Sequence, residues 1–145
     1  MQENIKLILT VNSVIDNLDA EGLPEGDPEI NIFTTDGTLS VSDDGYIISF
    51  TERDEGGESH SDIYVRNQEV LLKKSGAILS EMRFTEGKSH NSLYRVGPYS
   101  FDMRVVTKKI RSSMTENGGE LQLIYSMCIG GQNKNARMKI SAKRK

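Results

Sequence analysis

Residues 77–107 read AILSEMRFTEGKSHNSLYRVGPYSFDMRVVT, and this stretch decides the fold. Three runs of alternating apolar and polar residues are separated by Glu86-Gly87 and Gly97-Pro98. A period of two puts successive side chains on opposite faces of an extended strand, and Gly and Pro at the breaks supply tight-turn geometry. In the first run Ile78, Ser80, Met82 and Phe84 share one face, while Leu79, Glu81 and Arg83 share the other. The second run groups Ser92, Tyr94 and Val96, and the third groups Tyr99, Phe101, Met103, Val105 and Thr107.

The same pattern continues outward in both directions. Downstream, Leu121, Leu123, Tyr125, Met127 and Ile129 alternate within residues 120–129, and Ala136, Met138 and Ile140 within 136–142. Upstream, residues 4–15 alternate through Ile5, Leu7, Leu9 and Val11, and residues 30–41 and 46–51 are strand-like, with a kink predicted near Asp36-Gly37. Glycine-bearing turns fall near residues 37, 45, 56, 76, 87, 97, 118 and 130, mostly 8–12 residues apart. Two longer gaps predict further turns at Asn67-Gln68 and Lys108-Lys109. Residues 16–29, acidic and broken by Gly22, Pro24, Gly26 and Pro28, read as a loop, and residues 52–61 as an exposed hairpin loop. No helical period occurs between residues 63 and 140.

Short strands at this spacing predict an all-β fold. The form expected is a single antiparallel, mostly up-and-down β-barrel of about eight to ten strands, because closure removes edges that invite aggregation. One domain spans residues 1–145, with a short basic tail at 143–145. An edge strand such as residues 4–15 offers a route to a homodimer.

Composition narrows the setting. One cysteine, Cys128, excludes an internal disulfide framework and predicts a reducing, cytoplasmic location. The start of the chain lacks a basic segment before its short apolar run, and no apolar stretch approaches the roughly 18–20 residues that span a bilayer, so a soluble chain off the membrane is expected. Net charge is −3 but unevenly spread: residues 16–62 hold 14 acids against one Arg, and residues 63–145 hold 16 Lys/Arg against 6 acids. Such asymmetry either marks an anionic partner or is neutralised when the two halves meet in the fold. The bases alternate with apolar residues instead of clustering, which favours neutralisation.

Three stretches carry a family resemblance. They are Tyr46-Ile47-Ile48-Ser49-Phe50-Thr51-Glu52, Val70-Leu71-Leu72-Lys73-Lys74-Ser75-Gly76 with Met82-Arg83-Phe84, and Gly119-Glu120-Leu121-Gln122-Leu123-Ile124-Tyr125. Together with the Tyr94…Gly97…Thr107 spacing, they resemble the YwiB-like family of small bacterial proteins of unknown function. The resemblance implies a calycin-type, lipocalin-like β-barrel in a cytoplasmic bacterial protein, and it brings no functional residues. The chain departs from the family pattern at Lys74, where an arginine is expected, and in the turn order Gly97-Pro98-Tyr99-Ser100. It has no Trp, so the lipocalin analogy reaches shape and not mechanism.

The chemistry predicted for the barrel interior comes from parity. Ser80, Met82, Phe84, Tyr94, Phe101, Met103, Tyr125 and Met127 are the candidate ligand-binding residues. Methionine adapts to guests and tyrosine joins an apolar ring to a polar tip, which suits a small apolar or amphipathic ligand. The competing expectation is an interior packed solid. Arg83, Arg95 and Arg104 have the opposite parity and are expected outside. Ser59-His60-Ser61-Asp62 and Ser89-His90-Asn91-Ser92 hold nucleophile and base types, but neighbours on one strand alternate faces and do not converge. There is no phosphate loop, no nucleophile elbow and no metal-ligand spacing, so no cofactor is expected. Cys128, between Met127 and Ile129, reads as an inert wall residue or an outward thiol. The alternative function is a protein- or RNA-interaction module using the basic outer face of residues 63–145. Nucleic acid is disfavoured because the aromatics share the core parity instead of interleaving with the bases.

Overall fold

A computed structural model describes residues 4–145. Ten antiparallel strands follow one another: β1 (Ile5–Asn17), β2 (Glu29–Ser42), β3 (Gly45–Asp54), β4 (Gly57–Arg66), β5 (Glu69–Gly76), β6 (Ile78–Thr85), β7 (Ser89–Val96), β8 (Tyr99–Ser112), β9 (Gly118–Ile129) and β10 (Gln132–Arg144). Each pairs with its sequence neighbours, and β1 pairs with β10 to close a barrel. Among the described residues there is no helix, and so none long and apolar enough to cross a membrane.

Most predicted turns stand, but β2 runs through Gly37 without the turn expected there, and three further elements differ. Residues 52–61 are not a loop: β3 and β4 stay in register out to Asp54↔Gly57, because polar alternating residues can form a solvated ladder. Lys108-Lys109 is not a turn: β8 runs through it with a bulge between Thr107 and Lys109. Thr107 is buried on the same parity as Met103 and Val105, and the extra residue then switches the inward parity so that Ile110 packs on the core. The basic tail is strand to Arg144, and the Lys145 ammonium lies 2.6 Å from Asp36.

Residues 4–15, expected as an edge, are hydrogen-bonded on both sides, to β10 and to β2. The unpaired edge lies one strand over. β2 meets β3 only from Gly37↔Phe50 onward, leaving residues 29–36 paired with β1 alone. Gly37 marks that junction. A Cβ there would come within 2.5 Å of Leu9 Cδ1 and 2.8 Å of the Ser49 carbonyl oxygen, so only glycine lets β2 cross the barrel wall so closely.

Inward parity builds the core. Leu7, Leu9, Leu39, Ile48, Ile63, Val70, Phe84, Leu121, Leu123 and Ile140 are fully or almost fully buried, each burial being worth roughly 1.5–3 kcal/mol. Met114, from the β8–β9 connection, joins the same cluster and caps that end of the barrel. The opposite end carries residues 18–28 and the β3–β4, β5–β6, β7–β8 and β9–β10 turns. Residues 18–28 are held by backbone bonds: Leu18 N–H donates to Asn133 (3.0 Å) and Glu25 N–H donates to Asn17 (2.7 Å). Asp19 accepts the amides of Glu21 and Leu23 on one carboxylate oxygen, which together with an isolated antiparallel bridge between Leu18 and Pro24 organises the acidic loop.

The two charged halves meet in the fold. Asp44–Arg66, Glu52–Lys74, Glu29–Lys134 and Asp36–Lys145 each pair an acid of the first half with a base of the second.

Candidate binding cavity

The packed core does not fill the barrel. At the end bearing the 18–28 segment the interior opens into a cavity of about 600 Å³. Its apolar lining includes Leu72, Met82, Met103, Met127, Met138 and Ile129, with Tyr94, Phe101 and Tyr125 as the aromatics. Ser80, Lys74 and Lys134 bring polar tips to the same space, and Glu29 sits at its margin.

Of the residues predicted from parity, Ser80, Met82, Tyr94, Phe101, Met103, Tyr125 and Met127 line this cavity. Phe84 does not. It is fully buried beneath the cavity, its ring edge-on to Tyr125 at 4.8 Å, and forms floor instead of wall. Phe101 is only partly interior, being 39% exposed at the rim because β8 begins two residues earlier at the Gly97-Pro98 turn. Tyr99 and Val96, assigned the same inward parity, lie further out on the rim and are exposed. Arg83, Arg95 and Arg104 are exposed on the outer wall as expected. Cys128 is half-buried, on the opposite parity to buried Met127.

Strand register organises the polar part of the wall. Across successive pairs Phe50 faces Ser61, Ser61 faces Lys74, Lys74 faces Ser80, Ser80 faces Tyr94 and Tyr94 faces Phe101. One inward row therefore runs Ser61, Lys74, Ser80, Tyr94 between two phenylalanines. The next row toward the packed end is apolar, with Ile48, Ile63, Leu72 and Met82. The Lys74 ammonium lies 3.6 Å from Glu52, both side chains being 24% exposed. That separation is an ion pair too long for a good hydrogen bond, so the ammonium keeps its donors. The Ser61 hydroxyl is fully buried and has no partner. Among the described residues, none hydrogen-bonds the hydroxyls of Ser80, Tyr94 or Tyr125. Burial raises the Tyr94 phenol and pushes that of Tyr125 up to about 12, so both are neutral donors near pH 7.

Lys74, Lys134 and Leu72 were not placed on the inward face from the sequence, whereas Ile78, Ile129 and Met138 were placed there but not counted among the candidate ligand-binding residues. For Lys74 the signal was masked by Val70-Leu71-Leu72, a continuous apolar run with no readable parity. Leu71 faces outward yet is buried, in register between Tyr64 and Arg83 on the neighbouring strands.

Residues 59–62 divide between the two faces of the sheet. Ser59 and Ser61 point inward and are buried, while His60 and Asp62 lie on the outer face. There the His60 ring bridges Thr51 (3.2 Å) and Asp62 (3.0 Å), and Ser49 donates to Asp62 (2.6 Å). The relay lies on an open sheet whose backbone amides are committed to the β3–β4 ladder, so no oxyanion hole adjoins it. Among the described residues no group of His, Cys, Asp and Glu is arranged to hold a metal ion.

Comparison with known proteins places this architecture. The chain is 27% identical over 135 residues to the uncharacterized beta-barrel protein YwiB of Bacillus subtilis (strain 168), covering 93% of this chain and 90% of that protein. It superposes on the crystal structure of the B. subtilis ywiB protein with a TM-score of 0.80 at 26% identity, covering 95% of this chain and 92% of the other. Residues 21–141 match the family model described as a domain of unknown function, DUF1934, and the chain belongs to that family of β-barrel proteins.

Proposed function

We propose that this protein is a non-catalytic, cytoplasmic, lipocalin-like barrel that holds a small apolar or amphipathic molecule in its interior. The observation that carries the reading is the half-open cavity of about 600 Å³ above the packed core. Its volume lies within the ordinary range for small-molecule sites, about 300–1,000 Å³. Its wall is methionine and aromatic ring with a few hydroxyls, a surface that adapts to an apolar body and fixes one polar end. A barrel built only for stability would fill this space, since unfilled core volume costs stability.

Native mass spectrometry of the protein as purified, followed by extraction of bound species, tests the reading. The expected result is a reproducible adduct that is lost on denaturation and absent from Met127→Trp, whose larger ring occupies the cavity. A folded protein that carries no adduct, and takes up none from a total lipid and metabolite extract, overturns it.

A further inference from the structure

Resting on that reading, we infer that the cavity selects an amphipathic anion, with its carboxylate or equivalent head on the Lys74–Ser80–Tyr94 wall and its apolar body among the methionines. Three independent features of the wall support this.

The first is charge. The ionisable side chains lining the cavity are Lys74, Lys134, Glu29 and the tyrosines, so cations outnumber acids. Glu52, the partner of Lys74, is not part of the lining. Both lysines make long ion pairs, Lys74 at 3.6 Å to Glu52 and Lys134 at 3.9 Å to Glu29, and neither pair uses up the ammonium donors.

The second is donor supply. Ser80, Tyr94 and Tyr125 present hydroxyls that no described residue engages, and the phenols stay protonated. An anionic head is pure acceptor and satisfies donors of this kind, whereas an ammonium head would add donors to them. The buried, unpartnered Ser61 hydroxyl lies in the same row, directly across from Lys74.

The third is access to water. Lys74 and Ser80 also border a depression of about 640 Å³ on the outer wall, over the place where β6 and β7 part. β6 and β7 pair only at Ile78↔Val96, Leu79↔Arg95 and Ser80↔Tyr94. A charged head at Lys74 therefore keeps contact with solvent while its tail is buried, which avoids the cost of a fully desolvated charge.

The test uses three probes of equal chain length, dodecanoate, dodecanol and dodecyltrimethylammonium, titrated below their micelle concentrations at about pH 8, where the carboxylate is ionised. Calorimetry on the full chain is expected to show dodecanoate binding at least about tenfold more tightly than dodecyltrimethylammonium, with dodecanol between them. Lys74→Met should erase the preference for dodecanoate over dodecanol. Glu52→Gln, which frees the ammonium, should keep or strengthen dodecanoate binding and serves as the folded control should Lys74→Met be unstable. Equal binding of all three heads, or tighter binding of the cation, overturns the anion assignment but leaves the cavity reading standing. No binding of any probe by the folded protein overturns both.

Discussion

Tyr125 stands at the boundary between packed floor and cavity. Its ring meets Phe84 edge-on at 66°, and the residue lines the cavity. Burial holds the phenol neutral and raises its pKa from 10.0 to about 12. The folded state therefore keeps a proton that the unfolded chain releases above about pH 10. The stabilisation is complete below that pH and is lost as pH climbs through about 12, on the order of 2 kcal/mol in all. Tyr125→Phe has no proton to lose. Denaturant midpoints of the two proteins should run parallel from neutral pH to about pH 9, then separate as the parent weakens. Parallel curves through the whole alkaline range would show that the hydroxyl is solvated and not buried. Residue-scale reading from sequence succeeded where a strand alternates cleanly, as in Ser80, Met82 and Tyr94. It made no assignment for Lys74, because three apolar residues in a row fit either parity, and it did not show that Phe101, although in the lining, sits at the rim, because parity says nothing about distance from the rim.

At the scale of elements the barrel is closed but not uniformly laced. β7 pairs with β8 along its whole length, yet it leaves β6 after Ser80↔Tyr94. The β6–β7 turn shows why. Gly87 N–H donates to the Thr107 carbonyl (2.9 Å), and Thr107 N–H donates to Lys88 (3.1 Å), so the turn is captured by β8 and drawn off its own hairpin partner. The Ser92 hydroxyl donates to the Glu81 carbonyl and spans part of the gap. Hydrogen exchange should resolve this. Amides facing the gap within residues 81–85 and 89–93, and those on the open side of residues 29–36, are expected to exchange faster than the doubly paired β9 and β10 amides. Uniform protection around the barrel would mean that the ladder is complete in solution. Turn positions were legible because glycine with a polar neighbour is a local signal. The parting of β6 and β7 was not, since it depends on a hydrogen bond from Gly87 to a residue twenty positions away. The bulge at Thr107–Lys109 was misread as a turn for a related reason: one inserted residue breaks the period of two just as a turn does.

Across the whole molecule, folding brings an acidic wall and a basic wall against each other. Closure sets β1 beside β10, and the Asn67-Gln68 hairpin sets β4 beside β5, so the two charged halves meet at both places. Arg66 reaches Asp44, Lys74 reaches Glu52, and at the other junction Lys134 and Lys145 reach Glu29 and Asp36. Two of the exposed bases away from these junctions are tied to their own sheet: Arg95 donates to Ser100 and Arg104 to Ser89. Tyr64, an outward aromatic, already carries Arg66 and Lys73 near its ring, 5.7 and 5.5 Å from the centroid, which removes a stacking platform for a base. These features bear on the competing role of a nucleic-acid module. Polyanion affinity comes from many cations acting together without nearby acids, and it falls steeply with salt. Here the net charge is −3 and the acidic wall lies within a barrel's width of the basic one. The protein is therefore expected to leave a heparin column at or below about 0.15 M salt, where the screening length shrinks to about 8 Å. Retention beyond about 0.5 M salt would mean that the basic wall acts alone, and the outer face would replace the cavity as the functional surface.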